Sequence, residues 1–323
     1  MTGVLFDPPR SDQAWRSEIY DGKIIILSPT SEMRELVEHT RGMVEEAFAP
    51  LDPRRAHETL PVEKCVAILA ALKPSYIHHP RTKQLVQKVL RTYGCSADKT
   101  YQDVPRLRCA FPSYYLTTGI AYAHHPHRDT WYSAPMCQFN WWAPIYEFVA
   151  ENGMSFHPRY WARGVKNGSG DFNYYRWNAE SRKDAAKHIG RDTRVQPHAE
   201  EPLELEPELR FVVPPGGVIV FSGAQLHSTV PNTTDTVRWS IDFRTVNLDD
   251  VVAGRGAPNL DSASTGTSLR DFVRAADFAA FPEEIVALQD DGVPLDGVAV
   301  FKPEDREQQQ ANSSAAGRGQ GSG

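Results

Sequence analysis

Apolar residues recur at helical spacing through much of the first hundred positions. In SEMRELVEHTRGMVEEAFAPL (31–51), Met33, Leu36, Val37, Met43 and Ala47 share one face of a 3.6-residue period, and Ser31 stands where a cap is expected. PVEKCVAILAAL (61–72) and PRTKQLVQKVLRTYG (80–94) read as two further helices, the second stopped at Gly94. Ahead of them, SEIYDGKIIILSP (17–29) reads as an early strand with a hairpin turn around Asp21-Gly22.

From about 105 the period changes. Aromatic and β-branched residues dominate, and RLRCAFPSYY, TGIAYAHHPHRD and APMCQFNWWAPIYEF read as strands. In the last of these Gln138, Asn140 and Trp142 alternate onto one face. ENGMSFHPRYW (151–161) reads as a turn at Asn152-Gly153 and a short strand. Residues 162–200 are polar and basic, an insertion with a short helix near 178–189. Strands return in ELRFVVPPGGVIVFSGAQLHSTV, where PPGG (214–217) turns between two apolar runs. TVRWSIDFRTVNL (236–248) alternates, with Arg238, Ser240, Asp242 and Arg244 on one face and Trp239, Ile241 and Phe243 on the other. Residues 250–303 mix loops with short helices in SLRDFVRAADFAAF and PEEIVALQDDG, and 304–323 is low-complexity and expected to be disordered.

The pattern predicts one domain over 1–303: a helical front (1–100), a core of antiparallel strands (about 105–247, interrupted by 162–200) and a C-terminal extension (250–303). The fold class is mainly β with flanking helices, a double-stranded β-helix (a cupin-like jelly roll) under a helical N-terminal layer.

Composition adds exclusions. With 323 residues, 41% of them hydrophobic, the chain can bury a substantial core. A net charge of −6 speaks against a nucleic-acid partner. No run of 18 apolar residues predicts a membrane span, and the N-terminus does not read as a secretory signal. Cys65, Cys95, Cys109 and Cys137 are scattered without a C-x-x-C pair, as reduced thiols of a cytoplasmic protein would be.

The candidate chemistry lies in AYAHHPHRDTWY (121–132). Residues two apart on a strand face the same way, so His127 and Asp129 can reach one metal while Arg128 points away. His125 and His127 form a rival pair, weakened by Pro126 between them. His124 then faces opposite to His125 and reads as supporting or structural. A third ligand must come from a distant strand, and His227 in FSGAQLHSTVPN is the candidate. Two histidines and a carboxylate are the ligand set of oxygen-activating iron(II) sites. Arg238 follows His227, and with Ser240 beside it offers a guanidinium fork and a hydroxyl to a buried carboxylate. Arg244 on the same face is the backup, and an ordinary surface charge is the plainer reading of Arg238.

The stretches HRD (127–129), ENGMSFHPRYW, PPGGVIVFSGAQLHSTVPNTT (214–234) and RWS (238–240) resemble the Fe(II)/2-oxoglutarate-dependent oxygenases, specifically the phytanoyl-CoA dioxygenase-like branch, over roughly 105–247. The departure is HPRYW, where that branch usually has a P-G-S-H run. The resemblance implies that His127, Asp129 and His227 bind Fe(II). It implies that 2-oxoglutarate chelates the metal and places its far carboxylate on Arg238, helped by Ser240 or Thr229. O2 is then the second co-substrate, succinate and CO2 are products, and a small molecule of specialised metabolism is oxidised, most commonly by hydroxylation. Asp129 speaks against a halogenase, which leaves that ligand position free. Asn140 is a candidate co-substrate contact, and Trp131, Tyr132, Gln138, Trp142 and His157 are candidate substrate contacts, with barrel core as the plainer reading of the aromatics. The basic stretch 159–194 points to an anionic substrate, against the plainer reading of a solvated face. The alternative function is a cupin-type isomerase or ligand-binding jelly roll without oxygenase turnover, in which Arg238 would have no task.

Overall fold

A computed structural model describes residues 3–290. The segment 304–323 and the end of the expected C-terminal extension lie outside the described residues. The chain begins with β1 (Val4–Phe6), α1 (Asp12–Tyr20) and β2 (Ile24–Leu27). The hairpin expected at Asp21-Gly22 is not formed. Ser11 caps a helix that buries Trp15 and Ile19 one turn apart, so residues 17–20 are helical. β2 instead pairs in parallel with β1.

Three long helices follow: α2 (Ser31–Phe48), α3 (Val62–His78) and α4 (Pro80–Thr92). Thr30, not Ser31, caps α2, its hydroxyl accepting from the Met33 amide at 3.1 Å. α4 stops where expected. Gly94 takes a φ of +82°, which a side chain would resist, and the Cys95 amide folds back onto the Leu90 carbonyl.

The large sheet is built from β3 (Thr100–Gln102), β4 (Arg106–Ala110), β5 (Phe139–Pro144), β8 (Val218–Ser222), β10 (Arg238–Asn247) and β11 (Val273–Arg274), with β1 and β2 at one edge. Its order is β1-β2-β8-β5-β10-β3-β11, and β4 also pairs with β10. A second sheet holds β7 (Leu209–Arg210), β6 (Met154–Phe156) and β9 (His227–Thr229) in that order. This is a jelly-roll arrangement of a large and a small antiparallel sheet, mixed with helices. Short helices complete it: α5 (Tyr174–Arg176), α6 (Leu248–Ala253) and α7 (Glu283–Gln289).

Strand alternation assigns the two faces of the large sheet. Trp239, Ile241 and Phe243 of β10, Phe139 and Trp141 of β5, and Val218 and Val220 of β8 pack in one core with Leu36, Leu69 and Val86 of the helices. The alternate residues, Trp142, Ile219 and Phe221, meet Phe156 of the small sheet in a second core. The inner face of β10 carries Arg238, Ser240, Asp242 and Arg244 as its alternation predicted.

Three expectations fail locally. TGIAYAHHPHRD is no strand: residues 119–121 make a 3₁₀ turn, and the only ladder contact among residues 118–129 is one bridge from His127 to His227. Pro126 has no amide to give a ladder. In RLRCAFPSYY the strand ends at Ala110, because Pro112 follows and Ser113 and Tyr114 both take positive φ. SLRDFVRAADFAAF is not a helix; it holds a 3₁₀ turn (Ser268–Asp271) and β11, while PEEIVALQDDG does form α7. The insertion coils from α5 through irregular turns to Lys187, somewhat earlier than expected. It is seated on Gly119, whose φ is +56° and where a Cβ would stand 2.3 Å from the Ala185 carbonyl.

Candidate metal centre

The bridge between His127 and His227 sets the site. Each backbone amide donates to the other's carbonyl at 3.0 Å, which brings residues a hundred positions apart side by side at the start of β9. The Asp129 amide donates to the Gly223 carbonyl at 2.8 Å, holding the aspartate beside the turn that leads into β9. One ligand atom from each of His127, Asp129 and His227 lies within 4.8 Å of the other two, and all three residues are buried.

The orientation of each side chain is fixed from behind. Nδ1 of His127 faces the His125 carbonyl at 2.8 Å, and Nδ1 of His227 faces the Gln225 carbonyl at 3.0 Å. A carbonyl only accepts, so each Nδ1 carries the proton and each Nε2 presents a lone pair. Both Nε2 atoms point at Oδ1 of Asp129, at 3.4 and 4.0 Å. Burial next to the His127 ring holds His227 down at about 4, in the neutral form a metal requires.

The other carboxylate oxygen is fully engaged. Oδ2 of Asp129 accepts from Asn140 Nδ2 at 2.8 Å, Gln138 Nε2 at 3.1 Å and Arg244 Nε at 3.4 Å. Burial would raise the Asp129 pKa, but Arg244 and the two histidines outweigh it and hold the carboxyl well below its ordinary range. Thus Oδ1 and two imidazole nitrogens converge from one side, with the remaining directions facing a cavity of about 620 Å³. This donor set fits a non-haem iron(II) ion with open positions.

Arg128, between two of these residues, turns the opposite way. Its guanidinium is 2% exposed and bonds Asp261 at 3.0 Å and the Tyr160 carbonyl at 2.6 Å. Asp261 also accepts from the Trp131 indole at 2.7 Å and the Val165 amide at 2.9 Å. The C-terminal extension thereby anchors the turn that carries Asp129.

Arg238 is buried on the cavity wall. Its Nε donates to the Asn152 carbonyl at 3.0 Å, NH1 donates to Ser240 Oγ at 2.9 Å, and the guanidinium lies 5.4 Å from the Trp142 ring centre. Among the described residues no carboxylate lies within 4.0 Å of it, and burial pulls its pKa down to about 10. Arg244, the backup, is already taken by Asp103 at 3.2 Å, Asp129 at 3.4 Å and Asp242 at 3.8 Å.

Of the other candidates, Asn140, Gln138, Thr229, Tyr132 and Trp142 line the cavity. Asn140 and Gln138 spend their amides on Asp129 and on each other. Thr229 is tied to His124 through both backbone and hydroxyl. Trp131 and His157 are not among the residues that line the cavity. Trp131 is turned onto Asp261, and His157 is buried between the Leu205 carbonyl and Ser228 Oγ, both at 3.2 Å. The rival ligand His125 is also accounted for, with one ring nitrogen on Tyr122 and the other on the Pro197 carbonyl, both at 3.0 Å. Sequence reasoning missed Asp103 and Asp261. Neither sits in a pattern that marks it, because each acts on a residue more than a hundred positions away.

By sequence the chain matches no family model and no curated protein. By structure it is similar to EvdO2 from Micromonospora carbonacea var. aurantiaca, at 16% identity over 76% of this chain and 94% of that one, with a TM-score of 0.43; EvdO2 is also solved complexed with 2-oxoglutarate. It is similar to SnoK, a non-heme alpha-ketoglutarate dependent carbocyclase from nogalamycin biosynthesis, at 14% identity over 54% and 62% of the two chains, with a TM-score of 0.32. It is similar too to the non-heme monooxygenase ThoJ, at 12% identity over 90% and 94%, with a TM-score of 0.38. At such distances the chemistry of the site is read from its own side chains.

Proposed function

We propose that this chain is an Fe(II)/2-oxoglutarate-dependent oxygenase that oxidises a small molecule, most commonly expected as a hydroxylation, in specialised metabolism. The observation that carries the reading is the convergence of His127, Asp129 and His227 with every outward-facing atom tied down and three donor atoms left to point at one place. When bound, the iron with 2-oxoglutarate and O2 supplies the oxidising chemistry, consuming the co-substrate to succinate and CO2.

The chain's own residues bind and orient. His127 and His227 offer neutral nitrogens, and Asp129 offers one oxygen while Asn140, Gln138 and Arg244 hold the other. Arg238 is the seat for the far carboxylate of 2-oxoglutarate. It is a buried cation with a hydroxyl beside it and an aromatic ring under it, and no carboxylate among the described residues supplies the counter-ion that such a group otherwise needs. A cupin-type isomerase would have no use for that arrangement. Thr229 stands on the same cavity wall as a second hydroxyl donor to the co-substrate. The order of HRD, the PPGG turn, His227 and Arg238 supports the finer placement in the phytanoyl-CoA dioxygenase-like branch. Four buried, unpaired cysteines support a cytoplasmic setting, and no helix among the described residues is long and apolar enough to cross a membrane.

The test is anaerobic addition of Fe(II) and 2-oxoglutarate, which should produce a weak visible charge-transfer band, followed by succinate measurement in air. Asp129→Ala should give no succinate. Full turnover in that variant would remove the triad, and with it the assignment.

A further inference from the structure

The cations around the cavity differ in what they face. Arg106 pairs with Asp103, Arg108 with Asp242 at 2.7 Å, Arg182 with Asp271 at 2.8 Å and Arg194 with Asp192 at 2.5 Å. Arg244 shares the same acids. Two lining cations have no carboxylate within 4.0 Å among the described residues: Arg238, already given to the co-substrate, and Lys73 of α3.

Lys73 follows Leu69 by one helical turn, so it stands on the stripe of α3 that faces inward. Its ammonium donates to the Ile120 carbonyl. An ammonium has three donors and a carbonyl satisfies one, so donor capacity remains on the cavity side. Burial pushes its pKa below the ordinary lysine value, as expected of a cation without a partner. Ala70, Ile77 and Ala121 line the same cavity, as do the aromatic residues Tyr122 and Trp177, while Cys109 and the Arg108–Asp242 pair act on the Lys73 charge.

Five cations of the basic stretch 159–194 are paired with acids. Lys166 pairs with Glu200 at 3.4 Å and Lys187 with Asp184 at 2.8 Å, while Arg159 pairs with Glu204. Together with Arg182 and Arg194, these charges are neutralised by neighbouring acids. The insertion gives the cavity Tyr174 and Trp177 beside the paired Arg182 and Arg194, and the Arg194 guanidinium lies 5.1 Å from the Trp177 ring centre.

We propose that the substrate of this site carries an oxyanion on an apolar, ring-sized body, and that Lys73 binds the oxyanion while Tyr122 and Trp177 cover the body. The proposal rests on the oxygenase reading only in naming the bound molecule a substrate. Lys73 is thereby a specificity residue and touches no part of the co-substrate.

The test uses protein loaded anaerobically with Fe(II) and 2-oxoglutarate, so that Arg238 is occupied. Two fluorescent probes are compared: anilinonaphthalene sulfonate, and phenylnaphthylamine, the same ring system without the charge. The sulfonate should bind about tenfold or more tightly than the neutral probe, the size expected of one charge-assisted hydrogen bond. Lys73→Met should remove that preference and leave neutral-probe binding within about twofold, and Lys73→Arg should keep it. Equal binding of the two probes by the wild type, or an unchanged preference in Lys73→Met, overturns the proposal. Should the methionine variant not fold, the wild-type preference and Lys73→Arg decide. Loss of the 2-oxoglutarate band marks failure of the oxygenase reading instead, since Lys73 makes no contact that the band reports.

Discussion

Replacing Arg238 with methionine separates its task in binding from its task in the fold. Arg238 is 6% exposed, and burial lowers its pKa from the ordinary arginine value to about 10. At about 1.4 kcal/mol per tenfold change in proton affinity, burial disfavours the charge by about 3 kcal/mol. Against that stand the hydrogen bonds to the Asn152 carbonyl and Ser240 Oγ, each worth about 1.5 to 3 kcal/mol as bonds from a charged donor. The bonds outweigh the burial cost by at most about 3 kcal/mol, and methionine keeps most of the volume over Trp142. The ligand-free variant should therefore be less stable than the wild type by no more than about 3 kcal/mol. With 2-oxoglutarate the balance is one-sided. Removing one partner of a desolvated charge pair costs about 3 to 5 kcal/mol, so the Kd for 2-oxoglutarate should rise by about a hundredfold to a few thousandfold. Anaerobic titration followed by the visible band measures the binding, and thermal melting without ligand measures the fold. A folded variant that binds 2-oxoglutarate within threefold of the wild type would refute the role given to Arg238. A large loss of stability without ligand would make Arg238 a structural residue.

Two further substitutions probe what holds the metal centre. Asn140→Ala removes the shortest bond to Oδ2 of Asp129 and should weaken Fe(II) binding by about tenfold to a hundredfold in a chelator competition, while unchanged affinity would mean that Asp129 needs no such support. Arg128→Met leaves Asp261 buried without its cation and should lower stability to urea by about 3 to 5 kcal/mol, and a variant as stable as the wild type would show that the C-terminal extension does not anchor the HRD turn.

What the sequence made legible follows from how each residue is held. The inner face of β10 could be read because strand period is two and its outer face is apolar from Trp239 to Phe243. Trp239, Ile241 and Phe243 must pack on helices, which forces Arg238, Ser240, Asp242 and Arg244 inward. Nothing in that alternation separates Arg238 from Arg244. The difference is made by Asp103, which arrives at the end of β3 from another part of the chain and claims Arg244 along with Asp129. The HRD turn was legible for the opposite reason to the one assumed. His127 and Asp129 share a direction although no strand runs through 118–129. A single bridge to His227 orients the histidine, and a turn begins at the aspartate. Two-residue spacing survives because Arg128 between them is extended and pinned outward by Asp261. The geometry of the ligand pair therefore depends on a salt bridge to a residue 133 positions away, a dependence that local periodicity has no means of expressing. Lys73 is the intermediate case. The helical reading stopped at residue 72, and only the continuation of α3 to His78 sets Lys73 one turn after Leu69, where a lysine needs a partner in the fold or in a ligand. Among the described residues it is given a carbonyl and no acid within 4.0 Å, which leaves room for the anion of a ligand.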